Sequence, residues 1–319
     1  MSIPLLIDTD PGIDDALAIL LALGSPEVRV EAITTVAGNV PVDRATINTL
    51  RLLAIRAPLP RPRVAQGAAA PLRQSLESAT HIHGADGLGN TGRLPGEPGP
   101  PATTLEMLDG PDLILEMAGR FRGELVVAAL GPLTNLALAL ERDPDRLRGV
   151  RRVVVMGGAV TVPGNVTAAA EFNFYVDPDA AERVFASGLP LELVPLDVTR
   201  HVVLRREALE RRLDRAPGLL ASFVRAFTRH GFEVGGGEGG IVMHDPLAIG
   251  IAVDPSLVAF EALAVAIETE GRHTRGLSLA DRRAFPGTGR PRPNCRVAQA
   301  VDARRFLDRL LERLCLASS

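Results

Sequence analysis

Short apolar segments alternate along this chain with segments of helical periodicity, and this alternation limits the folds available to it. The segments that predict strands are residues 3–8, 28–36, 63–65, 125–130, 153–156, 191–195 and 258–268. The segments that predict helices are residues 13–23, 45–55, 113–120, 133–140, 178–187 and 301–316. Strands that alternate with helices pair in parallel through helical crossovers. We therefore expect one α/β domain over residues 1–319, with a mostly parallel, Rossmann-like central sheet flanked by helices, and ligands beyond the carboxyl ends of its strands.

The composition is that of a globular protein that can bury a full core, with 46% hydrophobic and 23% charged residues. The net charge of −3 provides no basic surface for nucleic acid or an acidic membrane, and no apolar run predicts a membrane span. Two cysteines make no disulfide framework, and the amino terminus lacks the basic region of a signal peptide, so we expect a cytoplasmic location. All 35 basic residues are arginines, which excludes a Schiff-base lysine and a phosphate-loop lysine.

Two segments interrupt the alternation. Residues 67–104 are rich in glycine and proline and contain HIHGADGLGNTG. A long segment of this kind in a compact domain is usually a lid, a binding loop or disorder. Residues 200–240 begin with an arginine-rich stretch that predicts a helix and end in EVGGGEGG, which predicts a second mobile segment.

The strongest functional signal is IDTDPGIDDA, residues 7–16, at the end of the first predicted strand. Asp8, Asp10, Asp14 and Asp15 place four carboxylates within eight positions. Two unit charges about 4 Å apart repel by roughly 4 kcal/mol at an effective dielectric constant of about 20, so the cluster requires a cation, protons or helix N–H groups. Capping of the next helix explains one or two of the aspartates, not all four. Oxygen donors without His or Cys pairs predict calcium or magnesium.

Two enzyme families place aspartates in this way. Haloacid-dehalogenase-type phosphatases also begin with a strand followed by Asp-x-Asp, but they need a later lysine and lack the adjacent pair Asp14–Asp15. The segment DTDPGIDDA resembles the nucleoside hydrolases of the inosine–uridine-preferring type along its whole length. Further stretches that resemble this family are TTVAGNV (34–40), LGPLTNLA (130–137), VVMGGAV (154–160), GNVTAAAEFNFYVDPDAA (164–181) and MHDPLAI (243–249).

The resemblance implies a hydrolase that cuts the N-glycosidic bond of a ribonucleoside with metal-activated water. It implies one calcium ion held by Asp10, Asp15, Asp245 and the backbone carbonyl of Leu130. Water and the ribose 2′- and 3′-hydroxyls would complete the coordination, which suits the six to eight oxygen ligands of calcium. Asp10 would also be the general base, and its alternative role is that of a ligand that takes no proton.

The resemblance also implies a set of polar residues around the sugar. Asp14, Asn165, Glu171 and Asn173 would bind the ribose, whose hydroxyls suit carboxylate and amide partners. Asn165 follows a glycine, so its alternative role is that of a turn residue. Asn39 also follows a glycine and would orient the attacking water or the substrate.

The remaining site residues are assigned to the sugar face and to the base. Met156 would lie beneath the sugar, although a methionine at this point of a strand is often plain core. His83 and Phe172 would contact the base. His244 would protonate a departing purine, unless it is a structural histidine. Asp245 precedes a proline and could simply cap a helix, but HDP matches the family motif.

One stretch departs from the family pattern. Family members often contact the base with tyrosines near residues 223–232, where this chain reads FVRAFTRHGF. Phe227, His230 and Phe232 are conceivable substitutes. The chain has no Trp, which argues against the purine-specific branch that sandwiches its base between tryptophans.

Two other functions are compatible with parts of this pattern. One is a haloacid-dehalogenase-like phosphohydrolase, and the other is a nucleoside- or ribose-binding protein without turnover. The expected partners are a ribonucleoside substrate and further copies of the chain in a homodimer or homotetramer, with neither nucleic acid nor membrane.

Overall fold

The computed structural model describes residues 2–99, 105–235, 239–283, 289 and 291–314. Within these residues the strands are β1 (Ile3–Thr9), β2 (Val28–Thr35), β3 (Arg63–Gln66), β4 (Val126–Ala129), β5 (Arg152–Met156), β6 (Leu191–Val194), β7 (Val203–Arg205), β8 (Gly240–Val242), β9 (Val258–Leu263), β10 (Val265–Ile267), β11 (Ser278–Ala280) and β12 (Cys295–Val301).

The helices lie between these strands. They are α1 (Ile13–Leu23), α2 (Val42–Arg56), α3 (Thr80–His83), α4 (Gly110–Arg120), α5 (Thr134–Arg142), α6 (Pro144–Arg148), α7 (Phe172–Val176), α8 (Pro178–Phe185), α9 (Leu196–Thr199), α10 (Arg206–Asp214), α11 (Leu219–Val234), α12 (His244–Val253) and α13 (Ala303–Arg313). A short 3₁₀ turn spans Pro255–Leu257. Across the described ranges, every helix is too short or too polar to cross a lipid bilayer.

The central sheet is doubly wound. In the described part of the chain it has eight strands in the order β3-β2-β1-β4-β5-β6-β12-β9. Neighbours from β3 to β12 pair in parallel, and β9 pairs antiparallel with β12 at the edge. The order reverses between β1 and β4, and in such sheets this reversal opens a crevice at the carboxyl ends of the two strands. The predicted α/β domain with a mostly parallel sheet is confirmed.

Strand β1 shows how the sequence supports a layer on each face of the sheet. Every residue of β1 after Ile3 is buried, and successive side chains point to opposite faces. Leu5 and Ile7 pack in the core that also holds the apolar residues of α1 and α12, whereas Leu6 packs with those of α4 and α5. A strand buried on both faces needs a continuous apolar run, which explains why β1 is apolar up to Asp8.

The observed elements differ from the predicted ones mainly where a strand changes its partner. The predicted strand over residues 258–268 is two strands, because β9 pairs with β12 while β10 pairs with β11 in a separate small sheet. Hydrophobic periodicity does not reveal such a change of partner. The predicted helix over residues 301–316 is α13, and residues 315 and 316 lie outside the described residues.

The glycine-rich segment that begins at residue 67 is hydrogen-bonded to residues at the carboxyl edge of the sheet. Gly67 N–H donates to Thr35 O at 2.9 Å, and Ala79 N–H donates to Asn39 O at 3.1 Å. Leu72 N–H donates to the Asp177 carboxylate at 2.9 Å. Over residues 67–99 these bonds favour a binding loop among the three predicted alternatives. Residues 100–104 and 236–238, which belong to the two predicted mobile segments, lie outside the described residues.

Candidate active site

The crevice between β1 and β4 collects the aspartates of the DTDPG turn. Asp8 is the penultimate residue of β1, and its carbonyl accepts a hydrogen bond from Leu130 N–H at 2.8 Å. Asp10 therefore leaves β1 beside the point where Leu130 leaves β4. The two segments that the sequence placed at one metal site are neighbours because β1 and β4 pair in parallel.

Asp15 is held rigidly in the first turn of α1. One of its oxygens accepts a hydrogen bond from Thr9 Oγ1 at 2.5 Å, and the other accepts from Gly12 N–H at 2.9 Å and from Asn39 Nδ2 at 3.1 Å. The first N–H groups of a helix have no partner within the helix, and a carboxylate there is favoured by the helix dipole. The capping explanation therefore holds for Asp15, yet it leaves the other carboxylates unexplained.

Asp10 has one oxygen engaged and one oxygen unpartnered. Its Oδ2 accepts a hydrogen bond from Asn39 N–H at 2.6 Å. Within the described residues its Oδ1 is buried and has no hydrogen-bond partner. A Cβ at Gly38 would lie 2.0 Å from Oδ2, and one at Gly131 would lie 2.5 Å from Oδ1. Only glycine at these two positions lets the backbone approach the carboxylate so closely.

Asp245 brings a carboxylate from the other end of the chain. It lies in the first turn of α12 and is 4% exposed. One oxygen each of Asp14, Asp15 and Asp245 lies within 4.8 Å of the others. Two oxygens bound to one calcium ion at about 2.4 Å are at most about 4.8 Å apart, so these oxygens fit a single ion. The sequence assigned Asp14 to the sugar, but its position also brings it within reach of this ion.

Burial and mutual repulsion make the ionised cluster unfavourable without a cation. Burial, followed by the charges of Asp15 and Asp14, raises the pKa of Asp10 well above its usual range. Burial and then the three neighbouring aspartates raise the pKa of Asp245 in the same way. For Asp14, burial and then Asp15 raise the pKa to about 6. A hard divalent cation would offset the repulsion among all three carboxylates and favour their ionised forms, so the donor set fits a calcium-type ion.

The Leu130 carbonyl, predicted as a metal ligand, contacts the predicted sugar site. It accepts a hydrogen bond from Asn173 Nδ2 at 2.6 Å, and Asn173 Nδ2 also lies 3.1 Å from Met156 O and 3.5 Å from Met156 Sδ. A carbonyl oxygen has two lone pairs, so this bond leaves one for a further partner. The amide of Asn173 thus links the β4 and β5 ends.

Glu171 caps the short helix α7 and is almost fully buried. Its oxygens accept hydrogen bonds from Asn173 N–H at 3.0 Å and from Gly158 N–H at 2.8 Å. Burial outweighs these bonds and raises the pKa of Glu171 to about 7. Asn165 Oδ1 accepts from Phe172 N–H at 2.9 Å, so its predicted turn role is present in addition to its position in the pocket.

Two predicted histidines flank the aspartates. His244 Nδ1 lies 2.8 Å from Thr199 Oγ1, and burial lowers the pKa of its imidazole. His83 Nδ1 accepts a hydrogen bond from Ile13 N–H at 3.1 Å and lies 4.0 Å from Asp14 Oδ1. Burial lowers the pKa of His83 to about 4, so this imidazole is neutral at neutral pH and does not offset the charge of the cluster.

A pocket of about 320 Å³ joins these groups, a size within the range of roughly 300–1,000 Å³ of small-molecule sites. Eleven of the thirteen predicted site residues line the pocket, namely Asp14, Asn39, His83, Leu130, Met156, Asn165, Glu171, Phe172, Asn173, His244 and Asp245. The other two, Asp10 and Asp15, are fully buried behind the wall and are hydrogen-bonded to Asn39.

The three residues of α11 named as conceivable substitutes for the base-contacting tyrosines do not line the pocket in the described structure. Phe227 is fully buried and packs edge-on against Phe223, with ring centroids 5.2 Å apart. The ring of Phe232 lies under the Arg206 guanidinium, at 4.9 Å. His230, like these two, is absent from the wall of the pocket in the described structure. Phe227 lies on the same face of α11 as Gly231 and Val234 but one turn earlier, where it is packed in the core, so the helix lines the pocket only near its end, with Gly231 and Val234.

Several residues at the outer end of the pocket carried no signal that the sequence reasoning used. They are His81, Ile82, Val166, Val234, Ile241 and Val242. Ile241 and Val242 directly precede the MHDP motif, and His81 belongs to the same HIH run as His83, so proximity to these motifs could have found them. Thr199 lies 45 residues before His244 in a stretch without a motif, and no feature of the sequence pointed to it.

The fold and the site together define a hydrolase of the metal-dependent α/β type, with a carboxylate cluster beneath a small-molecule pocket. The family model described as inosine-uridine preferring nucleoside hydrolase matches residues 5–308. The chain belongs to this family, and it is an N-glycosyl hydrolase that acts on ribonucleosides. This assignment replaces the haloacid-dehalogenase alternative.

Individual relatives agree with the family over the full chain. The chain is 38% identical to the pyrimidine-specific ribonucleoside hydrolase RihA of Citrobacter koseri, with 100% of both chains covered. It resembles the solved structure of a plant nucleoside hydrolase with a TM-score of 0.87 and 37% identity over 99% of both chains. It resembles the purine-preferring ribonucleoside hydrolase from Gardnerella vaginalis with a TM-score of 0.89 and 32% identity over 98% of both chains.

Proposed function

We propose that this enzyme hydrolyses the N-glycosidic bond of ribonucleosides with one calcium ion and with Asp10 as the general base, releasing ribose and the free nucleobase. The observation that carries the proposal is the arrangement of Asp10. Its Oδ1 is buried and has no hydrogen-bond partner among the described residues. Its carboxyl also interacts electrostatically with Asp14, Asp15 and Asp245, the three aspartates whose oxygens lie within 4.8 Å of one another. An ionised carboxylate in such a place is unfavourable unless it has a cation or a proton to bind.

Calcium would be held by Asp10, Asp15, Asp245 and the carbonyl of Leu130. When bound, it would neutralise the cluster, lower the pKa of a coordinated water and hold two ribose hydroxyls. The position of Asp14 supports either a further contact to the ion or one to a ribose hydroxyl beside it.

Asp10 would take the proton of the attacking water at Oδ1. Its other oxygen is fixed by Asn39 N–H, and the side chain of Asn39 holds Asp15, so Asn39 fixes the position of the base relative to the cluster. A general base positioned in this way contributes about 10²–10⁴-fold to the rate. The predicted role of Asn39 in orienting the water therefore acts through the carboxylate of Asp10.

The sugar would be bound by the polar residues at the β4 and β5 ends. Asp14, Glu171, Asn165 and Asn173 supply carboxylates and amides, and Met156 supplies an apolar surface beneath the ring. As the C1′–N bond breaks, the ribose gains oxocarbenium character, and hydrogen bonds that strengthen with that change lower the barrier. Glu171 is fixed by the backbone N–H groups of Gly158, after β5, and of Asn173, on α7, so it is preorganised for this role.

His244 would assist the leaving group. Thr199 occupies Nδ1, which leaves Nε2 as the nitrogen that can face a substrate. A proton delivered there helps a purine, whose imidazole ring has a nitrogen to accept it, more than a pyrimidine. His83 and Phe172 line the same pocket and are the proposed contacts to the base.

The relatives represent two branches with different base preferences. The Citrobacter relative is named pyrimidine-specific and the Gardnerella relative purine-preferring. Four residues of the outer pocket wall, Ile82, Val166, Val234 and Ile241, are apolar, and they support binding of the flat face of a purine or of a pyrimidine.

The test is product analysis with inosine, adenosine, uridine and cytidine. We expect equimolar ribose and free base from at least one of them in the presence of calcium. Saturable binding of all four without any ribose would instead support the binding protein without turnover, and it would overturn the proposal.

We further propose a single hydrolase domain over residues 1–319, assembled as a homodimer or homotetramer in the cytoplasm. Burial raises the pKa of the Cys295 thiol to about 12, which suits a thiol that stays reduced. Light scattering coupled to size-exclusion chromatography distinguishes a monomer from either assembly.

A further inference from the structure

The imidazole of His83 rests on the first turn of α1. Gly12 is the N-cap of this helix, and its neighbour Ile13 carries one of the N–H groups that no carbonyl of the helix can satisfy. This N–H donates to His83 Nδ1 at 3.1 Å. A histidine brought from 70 residues away thus caps the helix that carries Asp14 and Asp15.

This hydrogen bond fixes the tautomer of His83. A backbone N–H can only donate, so Nδ1 must be the unprotonated nitrogen of the ring. The proton of the neutral imidazole is therefore on Nε2, at the opposite edge of the ring. Because His83 also lines the pocket, its Nε2–H is a donor of fixed orientation and it is not an acceptor.

Gly12 is the residue that gives the ring its place. A Cβ at position 12 would lie 2.5 Å from His83 Nδ1, 2.8 Å from Cγ and 2.9 Å from Cε1. The backbone at Gly12 has φ −96° and ψ −161°, which alanine also adopts, so the conformation does not require glycine. Glycine is required at position 12 because the ring of His83 occupies the space that a Cβ would fill.

The loop that carries His83 cannot simply move outward. Asn48 Nδ2 donates to Pro11 O at 3.0 Å and to Asp86 O at 2.8 Å, which joins this loop to the DTDPG turn. Gly89 N–H donates to His83 O at 2.8 Å and fixes the backbone of the histidine itself. A side chain at position 12 would therefore displace the ring and break its bond to Ile13.

We infer that Gly12 is a positioning residue that holds His83 as an Nε2–H donor toward the nucleobase, whose partner on the base is a carbonyl oxygen or an unprotonated ring nitrogen. This inference rests on the proposed function, because it assigns the donor to the base end of the same pocket. In this assignment His83 orients the base and delivers no proton.

The direct test of positioning is a double-mutant cycle with Gly12→Ala and His83→Ala, measuring kcat and KM for the best of the four ribonucleosides. Loss of one hydrogen bond predicts a fall in kcat/KM of about 3- to 10-fold for Gly12→Ala. In the His83→Ala background the same substitution should have no effect, because the ring is gone. An equal loss in both backgrounds would overturn the inference.

Gly92→Ala is the matched control. Gly92 lies in the same glycine-rich segment as His83, and a Cβ there meets nothing within 4 Å. Gly92→Ala should therefore keep the kcat/KM of the original enzyme. A loss equal to that of Gly12→Ala would mean that kcat/KM responds to any methyl group added near this loop, and it would refute the specific role of Gly12.

The tautomer has its own measurement, which requires no activity. Long-range ¹H–¹⁵N correlation spectra of the full chain should show His83 protonated at Nε2, and Gly12→Ala should change this signal. Protonation at Nδ1 in the original protein would refute the inference even if ribose release is normal. Absence of ribose release with the Nε2–H signal intact would refute the proposed function and leave the positioning of the ring confirmed.

Discussion

Replacing Asp14 by asparagine is expected to stabilise the metal-free protein while it weakens the enzyme. Asp14 is 8% exposed, and its pKa is raised from 3.8 to about 6, first by burial and then by Asp15. Since the folded state has the higher pKa, Asp14 favours folding below about pH 3.8, and this contribution is lost as the pH rises through about 6. At neutral pH the ionised carboxylate therefore opposes folding.

The stability gained by Asp14→Asn follows from the shift in the pKa of Asp14. About 2 pKa units correspond to roughly 3 kcal/mol at 1.36 kcal/mol per unit. An unfolding entropy of about 2.1 cal/mol/K per residue gives roughly 0.7 kcal/mol/K for a chain of this length, so Asp14→Asn should raise the Tm by about 4 °C. The gain should be full at about pH 7.5 and fall to about one third at about pH 4.5, where the folded carboxyl is protonated.

The assay is thermal unfolding in the presence of a chelator at these two pH values. Asp43→Asn is the matched control, because Asp43 also lies in the first turn of a helix but is exposed, and this variant should not gain stability. Adding calcium should then raise the Tm of the original protein more than that of Asp14→Asn. If Asp14→Asn gains nothing at pH 7.5, or gains as much at pH 4.5, the proposed repulsion within the cluster is refuted.

Three further substitutions separate the roles of neighbouring groups. Asp10→Asn should lower kcat by about 10²–10⁴-fold at saturating calcium with little change in KM, and a loss below about tenfold in steady-state assays would contradict its role as base. Thr199→Val removes the partner of His244 Nδ1 and should lower kcat about 3- to 10-fold for inosine but less for uridine; equal losses for both would argue against leaving-group assistance. Asp177→Ala removes an acceptor of Leu72 N–H, Thr134 Oγ1 and Ala180 N–H, so urea unfolding should show a loss of about 2–4 kcal/mol with kcat unchanged. Asp143 is also a helix N-cap but is only half-buried, so Asp143→Ala should lose only about 1 kcal/mol, and a loss equal to that of Asp177→Ala would refute the role of burial.

The part of the site that could be predicted from sequence is the part carried by short motifs at strand ends. Asp10 directly follows β1, Asp14 and Asp15 lie in the first turn of α1, and Leu130 follows the strand that pairs with β1. Parallel pairing brings such ends together whatever the rest of the chain does. The position of Asp245 required the family motif, because an Asp-Pro pair alone is also a helix start.

The other Asp-Pro pair illustrates this ambiguity. Asp177 is the N-cap of α8, and its side chain accepts a hydrogen bond from Ala180 N–H at 3.0 Å. Asp245 lies instead inside the first turn of α12, where Met243 is the N-cap. The same dipeptide thus has two roles, and the position of the helix start decides between them.

The residues that sequence reasoning did not place or did not find depend on tertiary contacts. Phe227 and Phe232 were chosen by residue type, but their rings pack against Phe223 and beneath Arg206, outside the pocket wall. Thr199 reaches His244 because α9 and α12 pack together, and Gly12 matters because a distant histidine ring lies over it. Such contacts leave no local pattern in the sequence.

The most direct test of calcium-dependent hydrolysis is a calcium titration of enzyme from which metal has been removed with a chelator. Heat of binding and ribose release are recorded on the same samples. We predict one high-affinity calcium ion per chain, with ribose release rising in proportion to its occupancy, and loss of both in Asp245→Asn. Full ribose release from the chelated enzyme, or unchanged calcium binding in Asp245→Asn, would contradict the claim that these carboxylates hold the ion on which hydrolysis depends.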